Sequence, residues 1–250
     1  NDGKGNFSLK PGAIPMTNTN CGTAVAFDYD GDGKEDLFIG SRSTPQQYGV
    51  MPNSFIMHND GTGQFSDISS QFSDLLQGIG MVTSVTVSDI NNDKKNELII
   101  VGEWMAPLVL SYNGKQFERI HSGMESLTGW WQLVQSIDID QDGDLDLLLG
   151  NLGENFYLKP SSSLPVKLWV KDFDQNGTID KIISQTIQNK DMPVFLKKEI
   201  TDQIPSLKKM NLKHKDFANK SVQSLLSNQL EHVNVYPVIT SQSIIAYNDG

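Results

Sequence analysis

The feature that most constrains this chain is an acidic run of nine residues that occurs four times. We call these runs the first loop (28–36, DYDGDGKED), the second loop (89–97, DINNDKKNE), the third loop (138–146, DIDQDGDLD) and the fourth loop (172–180, DFDQNGTID). All four have oxygen-bearing side chains at positions 1, 3, 5 and 9, and three have Gly at position 6. Carboxylates packed this closely repel one another unless a cation binds them, so four copies in register predict metal sites rather than solvated turns.

The pattern suits calcium, which takes six to eight hard oxygen ligands in flexible geometry. Positions 1, 3, 5 and 9 would supply side chains, and position 7 would supply its backbone carbonyl, so its residue type is free. The sequence thus predicts up to four Ca²⁺ ions. The predicted ligands are Asp28, Asp30, Asp32, Lys34 and Asp36; Asp89, Asn91, Asp93, Lys95 and Glu97; Asp138, Asp140, Asp142, Asp144 and Asp146; and Asp172, Asp174, Asn176, Thr178 and Asp180.

Other metal sites fit the runs less well. An EF-hand needs Glu at position 12 between two helices, whereas the four runs have apolar residues there and strand-like flanks such as TAVAF and DLFIG. Magnesium rarely uses an all-protein cage, and no cluster of His or Cys offers a zinc site. In the second loop Lys94 stands where Gly is expected, so this site should be the weakest.

A second repeat alternates with the acidic runs. NDGKGNF (1–7), HNDGTGQF (58–65), YNGKQF (112–117) and YNDG (247–250) combine Asn with Gly between extended stretches, which is typical of hairpin turns. The repeating unit is therefore strand, acidic loop, strand, connection, strand, turn, strand. Short antiparallel strands at this period predict a mainly β fold of about four four-stranded β-propeller blades over residues 1–250.

Residues 190–235 interrupt the pattern. Ile200, Ile204 and Leu207 recur at helical spacing, and residues 197–220 carry seven Lys against three acidic residues. We interpret this stretch as a small helical insertion within the last repeat, whose apolar side packs on the propeller rim or a partner, and after which SIIAYND (243–249) resumes the same blade. Because insertions on rigid scaffolds often form binding sites, we expect this insertion to form part of a ligand-binding surface.

The acidic runs followed by LFIG or LLLG resemble FG-GAP repeats, also called VCBS repeats, which build the propeller of integrin α subunits and of many secreted bacterial proteins. VGEWM (102–106), GWW (129–131) and LLLGNLGEN (147–155) are similar to the bacterial branch often found with ASPIC/UnbV domains. This resemblance implies a calcium-stabilised propeller, extracellular or on the cell surface, in a bacterial envelope, with a binding or adhesive role.

Composition excludes several classes of function. A formal charge of −10 argues against a nucleic-acid partner, and no apolar run is long enough for a transmembrane segment. The single cysteine, Cys21, cannot form an internal disulfide and is expected to be buried. The chain lacks an initiator Met and opens on a turn, so we interpret it as part of a longer parent chain.

Two functions remain open. The chain is either a non-catalytic module that binds a protein or glycan, or the propeller scaffold of a secreted or surface enzyme such as a polysaccharide lyase or hydrolase. We favour the binding module because no catalytic constellation is visible: the four His are scattered, and no nucleophile elbow or phosphate-binding loop is present.

The blade number is open as well. GNFSL (5–9) could pair with SIIAY (243–247) and close a four-bladed ring. Alternatively, the chain is an arc of a larger propeller of about six to eight blades. We favour the arc, which agrees better with the family resemblance; pairing of GNFSL with SIIAY would contradict it.

Overall fold

The computed structural model describes residues 3–249 and is built mainly from antiparallel strands. The strands are β1 (Asn20–Phe27), β2 (Asp36–Ser43), β3 (Phe55–Asn59), β4 (Phe65–Asp67), β5 (Met81–Ser88), β6 (Glu97–Met105), β7 (Leu108–Tyr112), β8 (Phe117–Ile120), β9 (Gly129–Trp130), β10 (Leu133–Ile137), β11 (Asp146–Gly150), β12 (Val166–Lys171), β13 (Asp180–Ile187), β14 (Lys190–Pro193), β15 (Asn234–Val238) and β16 (Ile244–Ala246). The α-helices are α1 (Ser73–Leu76), α2 (Lys197–Gln203), α3 (Ser206–Met210), α4 (His214–Ala218) and α5 (Val222–Leu226). Two 3₁₀ turns, Ser69–Phe72 and Ser227–Leu230, complete the elements.

Three sheets form a row of propeller-like blades. Blade I has the order β1-β2-β3-β4, and blade II has the order β5-β6-β7-β8 with β9 beside β6. Blade III contains β10, β11 and β16. The first strands of the blades lie next to one another, since β1 contacts β5 and β5 contacts β10. The prediction of four-stranded antiparallel repeats in a mainly β fold is confirmed.

The central strands are buried on both faces, which explains why they are continuous apolar runs in the sequence. In β6, Leu98 and Ile100 face blade I and pack with Phe38 and Ile56, among others. The alternate residues Ile99 and Val101 face blade III. Each blade thus contributes one apolar layer to each neighbouring interface.

Blade III differs from the expected course of the chain. Its third strand is β16, which pairs with β11 in the register Leu147↔Ala246, Leu148↔Ile245 and Leu149↔Ile244. The expectation that SIIAYND resumes the fourth repeat is therefore wrong. Residues 151–243, which we call the insert, lie between the second and third strands of blade III. The corresponding connections are 44–54 in blade I and 106–107 in blade II.

The insert contains its own four-stranded sheet, in the order β14-β13-β12-β15. Here the fourth loop joins two central strands, whereas in blades I to III the acidic loop starts from an edge strand. The helices α2–α5 follow β14 and precede β15, inside the predicted range 190–235.

The insert sheet is packed on both faces. One face, with Trp169 and Ile182, carries the apolar side of the helices, including Ile200 and Ile204. The other face, with Val166, Leu168 and Val170, packs against Met81, Trp104 and Trp130 of the blades. The helices thus pack on the insert sheet. They do not pack on the propeller rim, which is one of the two positions that the sequence leads us to expect.

The strand pairing that would close a four-bladed ring is not formed. Residues 5–9 belong to no strand, and the chain that follows them runs along blade I. There the Lys10 ammonium donates to the carbonyl of Thr62 (2.9 Å), and the N–H of Phe65 donates to the carbonyl of Ala13 (2.9 Å). The predicted turns at both ends extend into residues 1, 2 and 250, outside the described residues.

Two further expectations concern exposure. Cys21 is exposed, so its predicted burial is wrong. Among residues 3–249, none of the helices has the length and apolar character needed to cross a membrane.

Candidate metal centres

Three of the four acidic loops bring three carboxylates together. In the first loop these are Asp28, Asp30 and Asp32; in the third, Asp138, Asp140 and Asp146; and in the fourth, Asp172, Asp174 and Asp180. Within each cluster, one oxygen from each residue lies within 4.8 Å of the others. Each cluster could hold a metal ion, since a carboxylate triad is the donor set that a hard cation prefers. Within the described part of the chain, the second loop forms no such triad.

The carboxylate at position 9 is buried in every loop. Asp36, Glu97 and Asp146 are fully buried, and Asp180 is only 3% exposed. Position 9 is the first residue of the strand that follows each loop, and its side chain is buried beneath the loop. In the second to fourth loops this carboxylate accepts the backbone N–H of position 2. The bonds are Ile90 to Glu97 (3.1 Å), Ile139 to Asp146 (2.9 Å) and Phe173 to Asp180 (3.0 Å).

The third strand of a blade supplies a second donor to the same carboxylate. In blade I the N–H of Asn59 donates to Asp36 Oδ1 (2.7 Å), and in blade III the N–H of Asn248 donates to Asp146 Oδ1 (2.9 Å). In blade II the Ser111 hydroxyl donates to Glu97 Oε1 (3.0 Å). In blades II and III the position 9 carboxylate therefore joins the loop to the third strand. The sequence reasoning missed this role of Asn59 and Asn248, because it interpreted their Asn-Asp-Gly motifs only as turn signals.

The turn geometry is shared by all four loops. The position 1 carboxylate accepts the N–H of position 6 from Gly33 (2.9 Å), Lys94 (2.8 Å), Gly143 (3.2 Å) and Gly177 (2.8 Å). These four residues have φ of 82°, 68°, 101° and 85°, respectively, in the left-handed region. Lys94 thus adopts the conformation that Gly adopts without strain.

Position 4 is left-handed too. Gly31 (φ 78°), Asn92 (58°), Gln141 (65°) and Gln175 (58°) occupy it. The sequence reasoning missed this second constraint, since only one of the four loops has Gly at position 4.

Burial and mutual repulsion perturb the loop carboxyls. Burial raises the pKa of Asp36 and of Glu97, although hydrogen bonds from the backbone oppose the rise. Burial, with the charges of Asp174 and Asp172, raises the pKa of Asp180 to about 6. In the first loop the Lys34 ammonium lies 2.8 Å from Asp32 Oδ2, and this hydrogen bond lowers the pKa of Asp32.

The donor set fits calcium. Asp36 Oδ2 and Asp174 Oδ1 are buried and have no hydrogen-bond partner among the described residues. An unpaired buried carboxylate oxygen is costly unless a cation satisfies it. The ligand atoms are all oxygens, which suit calcium rather than a softer metal.

A separate polar network lies near the insert, at the far end of the strands from the loops of blades I and II. Glu103 accepts hydrogen bonds from Arg42 (2.6 Å), Tyr48 (3.1 Å) and Gln132 (3.3 Å). Trp104, which has a positive φ of 60°, donates to the Tyr48 hydroxyl (2.8 Å). Every carboxylate oxygen of Glu103 is therefore satisfied, and the network joins blade I to blade II.

The three tryptophans of the VGEWM and GWW motifs are buried: Trp104 and Trp130 are 4% exposed and Trp131 is 0% exposed. They pack inside the fold and offer no open face on which a sugar could stack.

Comparison with known families supports the repeat assignment. Residues 89–149, from the second loop to the end of the apolar run in β11, match the family model of the FG-GAP-like repeat. This stretch is thus similar to an FG-GAP-like repeat, as its motifs predict. None of the curated protein sequences compared with the chain matches it significantly.

Lys94→Gly should tighten calcium binding at the second loop about fivefold. The left-handed conformation costs a non-Gly residue about 1 kcal/mol, and an ion-bound loop has less freedom to relax this strain than an ion-free one. Calorimetric calcium titrations of wild type and variant measure the change. Lys95→Gly is the matched control, because it removes the same charge at a position that is not left-handed. Equal affinities for the two variants would show that strain at position 6 does not limit binding.

Calcium binding at the fourth loop should weaken about tenfold between pH 7 and pH 5. The folded-state pKa of Asp180, about 6, lies above the usual Asp value, so protons compete with calcium as the pH falls through 6. The same shift makes the ion-free fold more stable at low pH, because the buried charge disappears there. Titrations at both pH values compare wild type with Asp180→Asn, in which this pH-dependent step should be absent. A pH-dependent step that persists in Asp180→Asn would contradict the assignment.

Proposed function

We propose that this chain is a calcium-stabilised β-propeller module that binds a protein or glycan outside the cell and carries out no catalysis itself. The observation that carries the proposal is the clustering of three carboxylates in each of the first, third and fourth loops. Calcium would be held by the predicted ligands of these loops and, more weakly, of the second loop. When bound, the ion would neutralise the carboxylates and hold the two strands of each hairpin in register.

Calcium sites that fill only at millimolar calcium favour an extracellular or cell-surface location for the chain. Extracellular calcium modules bind with Kd of about 10⁻⁴ to 10⁻³ M, which cytosolic calcium does not saturate. Loops whose predicted ligands are exposed, such as Asp30 and Asp32, are expected to bind calcium with a Kd in this range. We therefore propose a location in a bacterial envelope or outside it, in line with the family resemblance.

The insert offers the ligand surface that this proposal needs. Lys198, Lys208, Lys209 and Lys215 are exposed on its helices, and Lys213 is exposed just before α4, while the chain as a whole has a formal charge of −10. A basic surface on an acidic protein favours an acidic partner, such as a uronate-containing polysaccharide or an acidic protein segment.

Calcium should stabilise the fold. At 1 mM calcium each of the three triad sites should add about 0.5–1.5 kcal/mol to the free energy of unfolding, by mass action. Thermal melting with calcium, with magnesium and with chelator measures the effect. The midpoint should rise with calcium alone, and Asp28→Asn should reduce the rise. A midpoint that does not respond to calcium would refute the calcium-stabilised module.

A panel of acidic and neutral polysaccharides tests the binding role. The chain should retain an acidic polysaccharide without releasing products, and Lys208→Ala with Lys209→Ala should weaken retention at least about threefold. Lys115→Ala, an exposed lysine in the blade II turn, is the matched control. Release of unsaturated or reducing-end products would instead assign the chain to a polysaccharide-active enzyme.

A further inference from the structure

The second and third loops, which belong to neighbouring blades, are joined by hydrogen bonds. The Asn248 side-chain amide, at the end of the third strand of blade III, donates to the Ile90 carbonyl of the second loop (2.8 Å). The same amide donates to the Leu145 carbonyl of the third loop (3.5 Å). Separately, the Asn92 amide of the second loop donates to the Asp144 carboxylate of the third. Two independent contacts thus connect the two metal loops.

The contact through Asn248 links the two buried carboxylates at position 9. The backbone N–H of Asn248 donates to Asp146 (2.9 Å), which is position 9 of the third loop. Its side chain bonds to Ile90, as described above, and the N–H of Ile90 donates to Glu97 (3.1 Å), which is position 9 of the second loop. A continuous chain of hydrogen bonds therefore runs from one position 9 carboxylate to the other.

The counterpart of Asn248 in blade I makes only local bonds of this kind. The N–H of Asn59 donates to Asp36 Oδ1 (2.7 Å), as that of Asn248 donates to Asp146. The Asn59 side chain, however, donates to the carbonyl of Glu35 (2.9 Å), the residue before Asp36 in the same loop. Reaching the loop of a neighbouring blade is therefore a particular property of Asn248.

The contact through Asp144 uses a side chain that the other loops lack. Position 7 is predicted to bind an ion through its backbone carbonyl, so its side chain is free for another role. The residues at position 7 are Lys34, Lys95, Asp144 and Thr178. Asp144 is the one carboxylate among them, and it accepts the bond from Asn92. It can therefore serve the third loop with its carbonyl and the second loop with its side chain.

Both contacts reach the second loop between its predicted ligands. Ile90 lies between positions 1 and 3, and Asn92 lies between positions 3 and 5. Fixing these two residues fixes the backbone that carries Asp89, Asn91 and Asp93.

The second loop has the greatest need of such support. Within residues 3–249 it forms no carboxylate triad, whereas the third loop has a triad. Lys94 also holds the left-handed conformation at its position 6, with φ of 68°. The third loop thus has its carboxylates assembled before an ion arrives, and the second loop does not.

We propose that the second and third loops bind calcium cooperatively, with Asn248 as the positioning residue that they share. The proposal rests on the calcium binding proposed above and describes how two of those sites are regulated. When the third site is filled, Asp146 and the backbone of Asp144 are held in place. Through the two contacts they order the second loop, so calcium binding there costs less conformational entropy. By linkage, a filled second site strengthens the third by the same factor.

A calcium titration followed by amide NMR measures each site separately. The N–H groups of Lys94 and Gly143 donate to the position 1 carboxylates of the second and third loops, so their signals report the two sites. Asn248→Ala removes the side-chain link but keeps the backbone N–H and every predicted ligand. It should weaken binding at the second loop about fivefold, the low end of the usual coupling between sites.

Asn59→Ala is the matched control for this variant, because it removes the same side chain from the equivalent place in blade I. It should leave the Kd of the second loop unchanged. A second-loop Kd that is equal in wild type and Asn248→Ala would overturn the proposal.

A double-mutant cycle separates the coupling from a simple effect of charge. Asp138→Asn removes a predicted ligand of the third loop and should weaken the second loop about fivefold. The effect should be smaller once Asn248→Ala and Asn92→Gly have removed both contacts; Gly suits the left-handed position. A weakening of equal size in both backgrounds is what lost charge alone would give, and it would overturn the proposal. Asp172→Asn in the fourth loop is the control and should not affect the second loop.

The same titrations distinguish this proposal from the calcium-stabilised module on which it rests. If the signals of Lys94 and Gly143 do not move with calcium, the module and the coupling are both refuted. If both signals move, but with Kd values that are independent of each other, the coupling alone is overturned.

Discussion

The buried carboxylate at position 9 is the interaction on which the rest of the structure depends. Asp36, Glu97, Asp146 and Asp180 each begin a central strand, and each has lost nearly all contact with water. A buried charge is tolerated only when it is hydrogen-bonded or paired. Backbone N–H groups from the loop provide part of that compensation, and burial still raises the pKa of Asp180 to about 6. A cation bound in the loop would offset the residual cost.

The same carboxylate fixes the course of the chain across each blade. Asn59 and Asn248 donate to position 9 from the ends of the third strands, and the Asn59 side chain also bonds to the backbone beside it, at Glu35 (2.9 Å). Because Asn248 repeats the contact of Asn59, it identifies β16 as the third strand of blade III despite the long insert. A strand that returns after 151–243 is thus positioned by the same hydrogen bond as one that returns after a short loop.

The features that repeat could be predicted from the sequence alone. The acidic runs predicted where hairpins turn, and Gly at position 6 predicted a left-handed residue that the structure shows even at Lys94. The sequence was insufficient for the pairing of β16. SIIAYND has the same form wherever it pairs. Its place in blade III is defined by contacts that the sequence does not reveal, namely its pairing with β11 and the hydrogen bond from Asn248 to Asp146. Nor does helical spacing reveal what covers a helix, so the packing of Ile200 and Ile204 on the insert sheet could not be foreseen.

The two ends of the blades place different constraints on the sequence. At the loop end, residue types are fixed by the left-handed turns and by the buried carboxylate. At the other end, the second and third strands are joined by 44–54, by 106–107 or by the whole insert, and in all three blades these two strands still pair antiparallel. A connection there adds no requirement at the metal loop, since the third strand is held by its own hydrogen bond. The insert carries its own acidic loop, with Asp172, Asp174 and Asp180, so an ion bound there would stabilise the added sheet as it would a blade. The basic helices are consequently presented on a rigid support, the condition under which an exposed surface can bind a partner at small cost in conformational entropy.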